Sequence, residues 1–425
     1  MIVDFTIKNF RSIKTEQTFS LYADSKPKHL SGNITYIEDE LGVLKTSAIY
    51  GANASGKTNI FKALACLKDI IVESGDWKQG DIIEQYQPYL LSETTKSAPT
   101  EFGIEFYVDE TRYRYEIHFD KSNILFEKLE AFYTARSSNL FRREDPNNWE
   151  DVRHGDYYKG GRKTFPFFAN NSYLSKAGNS ADSPKVVRDV YNYFRKKINI
   201  QLKDQILRIA YWDDKPNLKK ITNSFLKEAD LGIDSFGFES IDLPEHIKIT
   251  EEMPASVRNI IMNEFSRKEV FYHRDEKNNL VKFSKDMESS GTHRLFELIP
   301  AILDILINGE VVLIDEIENS FHPYLARMIV KIFNDPTLNI NNSQLIYTTH
   351  DLSLMSSEFL RKDQVYLSEK SVENGSVYFS LENFDSSLKD NSPFAKWYNE
   401  GKLGGIPRID YAQISLEIKE GLKNA

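Results

Sequence analysis

Apolar and polar residues alternate most clearly between positions 102 and 119. Phe102, Ile104, Phe106 and Val108 lead to a polar turn at Asp109-Glu110, and Tyr113, Tyr115, Ile117 and Phe119 follow. A period of two on either side of a turn predicts a β-hairpin with one buried face. Residues 124–133 extend the expected sheet, and Phe5, Ile7, Phe10, Phe19 and Leu21 mark two more extended stretches near the start. Elsewhere the period lengthens to that of a helix. Ile60, Phe61, Leu64, Leu67 and Ile71 share one face. Val187, Val190, Tyr191 and Phe194 do the same after Pro184, in a helix expected to reach about Ile200. Residues 215–228 read as another helix. Leu295, Phe296, Leu298, Ile299, Ile302, Leu303 and Leu306 form a further one, which Pro300 should kink. Leu325, Met328, Ile329, Ile332 and Phe333 follow His322-Pro323 at helical spacing. Val311-Val312-Leu313-Ile314 and Leu345-Ile346-Tyr347 are apolar throughout, the pattern of buried parallel strands. A last strand pair is expected over 364–368 and 376–381. Residues 134–182 read as loops with short elements. No heptad run, internal repeat or low-complexity tract interrupts the pattern.

Chemistry gathers where these elements end. The apolar run Ala48-Ile49-Tyr50 enters Gly51-Ala52-Asn53-Ala54-Ser55-Gly56-Lys57-Thr58, and a helix pattern follows. This strand, glycine-rich loop and helix are the context a phosphate-binding P-loop requires. Gly51 and Gly56 let the backbone curl so that its N–H groups face a polyphosphate, and the helix adds its positive end. Lys57 is placed to reach the β- and γ-phosphates, and the Thr58 hydroxyl to ligate Mg²⁺. The expected nucleotide contacts are therefore Gly51, Asn53, Ala54, Ser55, Gly56, Lys57, Thr58 and, one residue on, Asn59. The strand 311–314 ends in Asp315-Glu316. Asp315 would hold the Mg²⁺ water shell, and Glu316 would orient and deprotonate an attacking water. The next strand ends at His350, which could contact the γ-phosphate or that water. ATP with Mg²⁺ is thus the expected ligand pair, and ATP hydrolysis the expected reaction. Arg11, in Lys8-Asn9-Phe10-Arg11-Ser12, is either a phosphate contact at a hairpin tip or part of an ordinary surface turn.

Composition narrows the picture. The chain has 425 residues, enough for two or three domains. Its net charge of −9 argues against a protein that coats nucleic acid through charge alone. Two small basic stretches remain, Arg153 to Lys163 interleaved with Tyr157 and Tyr158, and Arg195-Lys196-Lys197. Cys66 is the single cysteine, so neither an intrachain disulfide nor a cysteine zinc cluster is open to the chain. No apolar run approaches the ~20 residues needed to cross a bilayer, and Met1-Ile2-Val3-Asp4-Phe5 reads as a strand rather than a leader. A cytoplasmic protein with no membrane partner is expected.

The order of these motifs resembles the ABC-type ATPase heads of the SMC, Rad50, RecF and overcoming-lysogenization-defect (OLD-like) class, an AAA family group. It runs from the P-loop through a glutamine segment at Gln87 and a Ser-Ser-Gly-Thr turn to the Asp-Glu strand, Glu-Asn-Ser-Phe-His-Pro and Thr-Thr-His. The stand-alone ATPase subunits of bacterial antiphage and abortive-infection systems, of the RloA/AbiL or PARIS AriA type, look most similar. The resemblance covers both ends of the chain and implies an α/β fold. That fold is a P-loop NTPase head of ABC type with an added antiparallel β layer and a compact helical insertion. Its expected domains are an ATPase lobe over 1–183, the insertion over 184–283, and a second ATPase lobe over 284–425.

By position, the resemblance places Ser289, Ser290 and Gly291 in a signature loop that meets the nucleotide of a second subunit. It places Glu318 and Asn319 in the D-loop, Gln87 on Mg²⁺, and Arg11 on nucleotide or DNA. The implied assembly is a homodimer or higher homo-oligomer closed around ATP, acting as a sensor that controls a separate effector, such as a nuclease encoded nearby. A RecF- or SMC-like repair ATPase that binds DNA in its ATP state is the alternative. The long coiled coil of SMC and Rad50 proteins is missing, and so is the Asp-x-Asp pair of a Toprim nuclease.

Overall fold

The computed structural model describes residues 1–423 except 24–28, 38–40, 204–211, 213–214, 230, 244–246, 248, 251–252, 255–257, 259–260, 262–266, 320–321, 372, 385–387 and 408–409. The chain forms two compact units, Met1–Lys196 with Ile346–Ala425, and Lys197–Leu345.

In the first unit the alternating stretches become β1 (Ile2–Lys8), β2 (Gln17–Ser20), β7 (Thr100–Val108), β8 (Thr111–Phe119), β9 (Ile124–Phe132), β10 (Ser138–Arg143) and β11 (Arg153–His154). They make one seven-stranded sheet in the order β11-β10-β9-β8-β7-β1-β2, the expected antiparallel layer. Register follows the apolar pattern, with Phe5 opposite Ile104 and Ile7 opposite Phe102. Phe102 packs its ring 5.9, 5.4 and 5.5 Å from those of Phe5, Phe10 and Phe119. Short strands β3 (Tyr22–Ala23), β4 (Ile34–Tyr36) and β5 (Gly42–Leu44) form a separate small sheet.

A third set of strands carries the glycine-rich loop. β6 (Thr46–Gly51) is buried along its whole length. It pairs in parallel with β18 (Val365–Ser371), which pairs antiparallel with β19 (Gly375–Ser380). β17 (Gln344–Thr348) runs into Thr349, whose N–H donates to Ile49 O at 3.2 Å. Helix α1 (Lys57–Glu73) packs against β6 and against α2 (Tyr173–Gly178), and α3 (Lys185–Lys197) follows in sequence. Cys66 lies buried on α1. Tyr193 and Phe194 of α3 pack on Phe106 of β7, with centroids 4.9 and 5.1 Å apart. Helices α7 (Phe394–Asn399) and α8 (Tyr411–Lys423) end the chain.

The second unit contains β12 (Ile198–Gln201) and β16 (Val311–Ile314), paired in parallel. Its sheet β13 (Ser235–Ser240), β14 (Arg267–Arg274) and β15 (Leu280–Ser284) is antiparallel. Its described residues also form helices α4 (Pro216–Glu228), α5 (Ser290–Asn308) and α6 (Pro323–Asn334). Phe236, Phe271 and Phe296 centre its core with Leu226, Leu295 and Ile299. α5 continues through Pro300 and stops at Gly309, which takes the left-handed φ of +62° common after helices. The helix expected to reach Ile200 ends at Lys197 instead. Ile198–Gln201 is a strand because pairing with the buried β16 satisfies its backbone, and propensity yields to that tertiary bond. Among its described residues the stretch 184–283 therefore holds α3 and α4 together with strands β12, β13, β14 and most of β15.

A buried polar network holds the far end of α1. Glu127 on β9 accepts from the Tyr115 and Ser172 hydroxyls at 2.9 and 2.8 Å and from the Tyr173 and Leu174 amides at 2.7 and 2.9 Å. Arg143, fully buried, sits 3.7 Å from Glu127 and donates to Asn171 O at 2.6 Å. Asn171 donates in turn to Ser74 O at 2.6 Å, just past the end of α1. Both Glu127 oxygens accept hydrogen bonds, which offsets the cost of burying the charge. Beside it, Tyr173 donates to Lys163 O and hydrogen-bonds the Tyr158 hydroxyl and His154 Nε2 at 2.6 and 2.9 Å.

Burial, helped by nearby Lys163, lowers the His154 pKa from 6.5 to about 4. The unfolded chain therefore binds the proton first as pH falls, so His154 stabilises the fold above pH 6.5 and loses that contribution towards pH 4. His154→Gln should flatten the fall in melting temperature over that window relative to wild type. Parallel curves for the two proteins would remove His154 as its source.

Candidate functional site

The loop after β6 can be built from its backbone. Gly51, Ala54 and Gly56 have φ of +154°, +61° and +109°. A Cβ on Gly56 would stand 2.3 Å from Ser376 Oγ, and one on Gly51 2.5 Å from Ser368 O, so both positions require glycine. The carbonyls of the loop are held from behind by β18 and β19. Ser55 O accepts from Ser376 Oγ at 2.6 Å and Ser368 Oγ at 3.1 Å, and Gly56 O accepts from the Tyr378 hydroxyl at 2.7 Å. Burial pushes the Tyr378 phenol up, which keeps it a neutral donor. Lys57 is buried, and its Nζ donates to Gly51 O and Ala52 O at 2.9 and 3.1 Å. Ser55 Oγ is buried with no hydrogen-bond partner. With these carbonyls engaged, the loop is left rich in donors at the positive end of α1, the electrostatics an anion needs.

Arg11 belongs to the same constellation. It and Asn9 both have φ of +52°. Its Nε donates to Asn59 Oδ1 at 3.1 Å, its Nη1 to Gln87 Oε1, and its amide to Gln87 O at 2.6 Å. Asn59 Nδ2 donates to Ser12 Oγ at 2.5 Å, and Ser12 Oγ lies 2.6 Å from Ser376 Oγ. The first helical turn, the Arg11 turn, the Gln87 segment and β19 are thus one hydrogen-bonded set. Gln85 turns elsewhere, its carbonyl accepting from Cys66 Sγ at 3.6 Å. Arg11, Asn59 and Gln87 line a groove of about 610 Å³ with Tyr86, Tyr89 and Lys370. His350, exposed, follows Thr349 at the end of β17.

Ser376 and Tyr378 carry no signal in the sequence, since isolated hydroxyl residues form no motif, and Asn9 and Ser12 stand in the Lys8-Asn9-Phe10-Arg11-Ser12 stretch with no role of their own expected. Asn9 Oδ1 accepts from the Tyr89 amide at 2.9 Å, and Nδ2 donates to Thr95 O and Ala98 O at 3.0 and 2.9 Å. An Asn next to a strand end, tolerant of left-handed φ, was the available signal. The Gly404-Gly405 turn, for which the sequence suggests no chemistry, braces β18. The Gly405 amide donates to Glu369 Oε1, and the Tyr398 hydroxyl donates to Gly405 O at 2.8 Å.

The second unit gathers the other predicted residues. Asp315 follows β16, is buried, and donates its amide to Gln201 O at 2.9 Å. Glu316 has a φ of +51°, a left-handed conformation that costs about 1 kcal/mol outside glycine. The Asn319 amide closes its turn on Glu316 O at 2.9 Å. Ser320 and Phe321 lie outside the described residues. Ser289 caps α5, accepting from the Thr292 amide at 3.1 Å, and leaves Ser290 exposed and Gly291 partly exposed in the first turn. Glu288 just before it pairs with His273 Nε2 at 2.6 Å. Arg294, one turn on, has its pKa lowered by burial, opposed by the charges of Glu316 and Glu318.

Residues 47–356 match the family described as "AAA domain, putative AbiEii toxin, Type IV TA system". The chain belongs to this family. Among solved structures, the SMC head domain from Thermotoga maritima is similar at 14% identity, with 89% of this chain and 98% of that chain covered and a TM-score of 0.38. No curated protein matches.

An AAA-family P-loop protein binds nucleotide with Mg²⁺, and the residues present fit both. The unpaired Ser55 hydroxyl, the caged Lys57 and the donor-rich helix end suit a polyphosphate. No cluster of three His, Cys, Asp or Glu side chains occurs among the described residues. A P-loop Mg²⁺ needs only a hydroxyl, one acid, water and phosphate oxygens. Removing the rear brace should loosen the loop without touching a ligand. Ser376→Ala with Tyr378→Phe should weaken binding of a fluorescent ATP analogue roughly thirtyfold, at about 1 kcal/mol for each of the two carbonyl hydrogen bonds lost. Unchanged affinity in a folded double variant would show that the brace is dispensable.

Proposed function

We propose that this AAA-family chain is an ABC-type ATPase that hydrolyses ATP between two copies of itself. We further propose that it serves as the sensor or regulatory subunit of an antiphage system, of the RloA/AbiL or PARIS AriA type, controlling a separate effector. The observation that carries the ATPase reading is the braced P-loop with its caged Lys57. The family's description, which refers to a toxin of a toxin–antitoxin system, supports the defence reading. Among the described residues no helix is long and apolar enough to cross a membrane.

In this reading the chain's residues divide the work. The loop amides from Asn53 to Thr58, with Asn59, hold the phosphates, and Lys57 neutralises charge on the β- and γ-phosphates. Arg11, tied to Asn59 and Gln87, approaches the same phosphates from the side. Thr58, Asp315 and Gln87 would hold Mg²⁺ through oxygen ligands, and the ion would supply neutralisation of phosphate charge. Glu316 accepts a proton from water as its oxygen attacks the γ-phosphorus, the bond to the β–γ bridging oxygen breaks, and ADP leaves. His350 steadies the γ-phosphate. Ser289, Ser290, Gly291 and Asn319 act on the nucleotide of the neighbouring copy. Binding energy for the second copy then depends on the γ-phosphate, which makes assembly an ATP-dependent equilibrium.

Two variants test the arrangement. Lys57→Ala should abolish nucleotide binding in its own chain, and Ser290→Arg should leave binding intact but stop turnover at the neighbour's site. Each variant alone should be inactive. Mixed together they should recover turnover, because the mixed pair contains one site with an intact P-loop and an intact signature loop. Two inactive variants that stay inactive on mixing would overturn the trans assignment. Glu316→Gln should bind ATP and hydrolyse it at least a hundredfold more slowly, a loss in the range of ~10²–10⁴ for a general base. Wild-type turnover in that variant would refute the base.

A further inference from the structure

Lys203 lies in no motif, yet the strand register carries it to Glu316. β12 and β16 pair in parallel with Gln201 opposite Ile314, and the Asp315 amide donates to Gln201 O at 2.9 Å. Two residues beyond these partners, Lys203 meets Glu316. Its Nζ lies 3.0 Å from Oε1 and 2.9 Å from Oε2, so one ammonium engages both carboxylate oxygens. The Glu316 backbone is already fixed, by its left-handed φ and by the Asn319 amide on its carbonyl. A glutamate side chain has several rotatable bonds. A charge-assisted contact from one ammonium to both oxygens restricts that motion and biases the direction of the carboxylate.

The other charges around Glu316 act differently. Arg294 on α5 feels Glu316, Glu318 and Glu297, but its Nε and Nη2 are buried without a hydrogen-bond partner. Glu318 and Asp315 share the Glu316 turn and are of like sign. Arg294 supplies field to the turn, whereas Lys203 supplies direction.

We propose that Lys203 is a positioning residue for hydrolysis, holding the Glu316 carboxylate in the orientation from which it meets the attacking water. The proposal rests on Glu316 as the base. A base displaced by about an ångström loses most of its effect, so the loss on removing Lys203 should be roughly tenfold to a hundredfold in kcat. Binding should be untouched, because Lys203 contacts the base and not the phosphates.

The test is steady-state ATP hydrolysis and ATP-analogue binding in Lys203→Gln, Lys203→Arg, Glu316→Gln and the double variant Lys203→Gln/Glu316→Gln, with folding checked by circular dichroism. The expected pattern is a fall in kcat for Lys203→Gln with KM and analogue affinity within about twofold of wild type, since uniform binding is not altered. Lys203→Arg should recover most of the rate, and the double variant should be no slower than Glu316→Gln alone, as expected of residues acting as a unit. A Lys203→Gln protein with unchanged or raised kcat would overturn the positioning role, and so would a loss confined to KM. If Glu316→Gln itself hydrolyses ATP at the wild-type rate, the base reading fails first, so the two failures are separable.

Discussion

The glycine-rich loop depends on where its carbonyl oxygens go. A loop that presents amides to an anion must dispose of the acceptors on the same peptides, or those acceptors compete for its own donors and for water. Here Ser376, Ser368 and Tyr378 take the Ser55 and Gly56 carbonyls from behind, and Lys57 takes those of Gly51 and Ala52. Glycine at 51 and 56 follows from the same crowding, because the Ser368 carbonyl and the Ser376 hydroxyl stand where a Cβ would be. The loop is thus pre-organised by its neighbours, which lowers the ordering entropy that a ligand must overcome.

The same economy recurs around Arg11. A guanidinium with five donors in a rigid fork is well suited to tie separate segments together. Arg11 joins the first turn of α1 to the Gln87 segment, and Ser12 passes the connection to β19. A change in any one of these segments is therefore felt at the others through short hydrogen bonds. Left-handed backbone at Arg11, Ala54 and Glu316 is strain that packing sustains at residues proposed for chemistry, while Asn9, Leu30, Asp109, Asn278 and Asn342 adopt it elsewhere.

The second unit shows how a strand can place chemistry without a motif. β12 belongs to no recognisable pattern, and its residues continue the periodicity of α3. Its parallel register with β16 nevertheless fixes what lies beyond both strands. Asp315 and Glu316 stand at the end of a buried strand, where backbone position is well determined. The Ser289 cap starts α5 at the predicted signature turn, so the exposed Ser290 hydroxyl sits at a rigid helix end instead of on a free loop.

The sequence alone determined the features whose information is local. The hairpin at 102–119 declares itself through a period of two, and the P-loop through glycines at fixed spacing before an amphipathic helix. The strand ending in Asp315-Glu316 shows as an apolar run meeting two acids. Tertiary structure alone decided the partners of those elements. Ser12 meets Ser376 across 364 residues of chain, and Lys203 meets Glu316 across 113. No local preference of a serine or a lysine encodes such a meeting. It arises from sheet register and from the need of buried polar atoms for partners, and both exist only once the strands have paired.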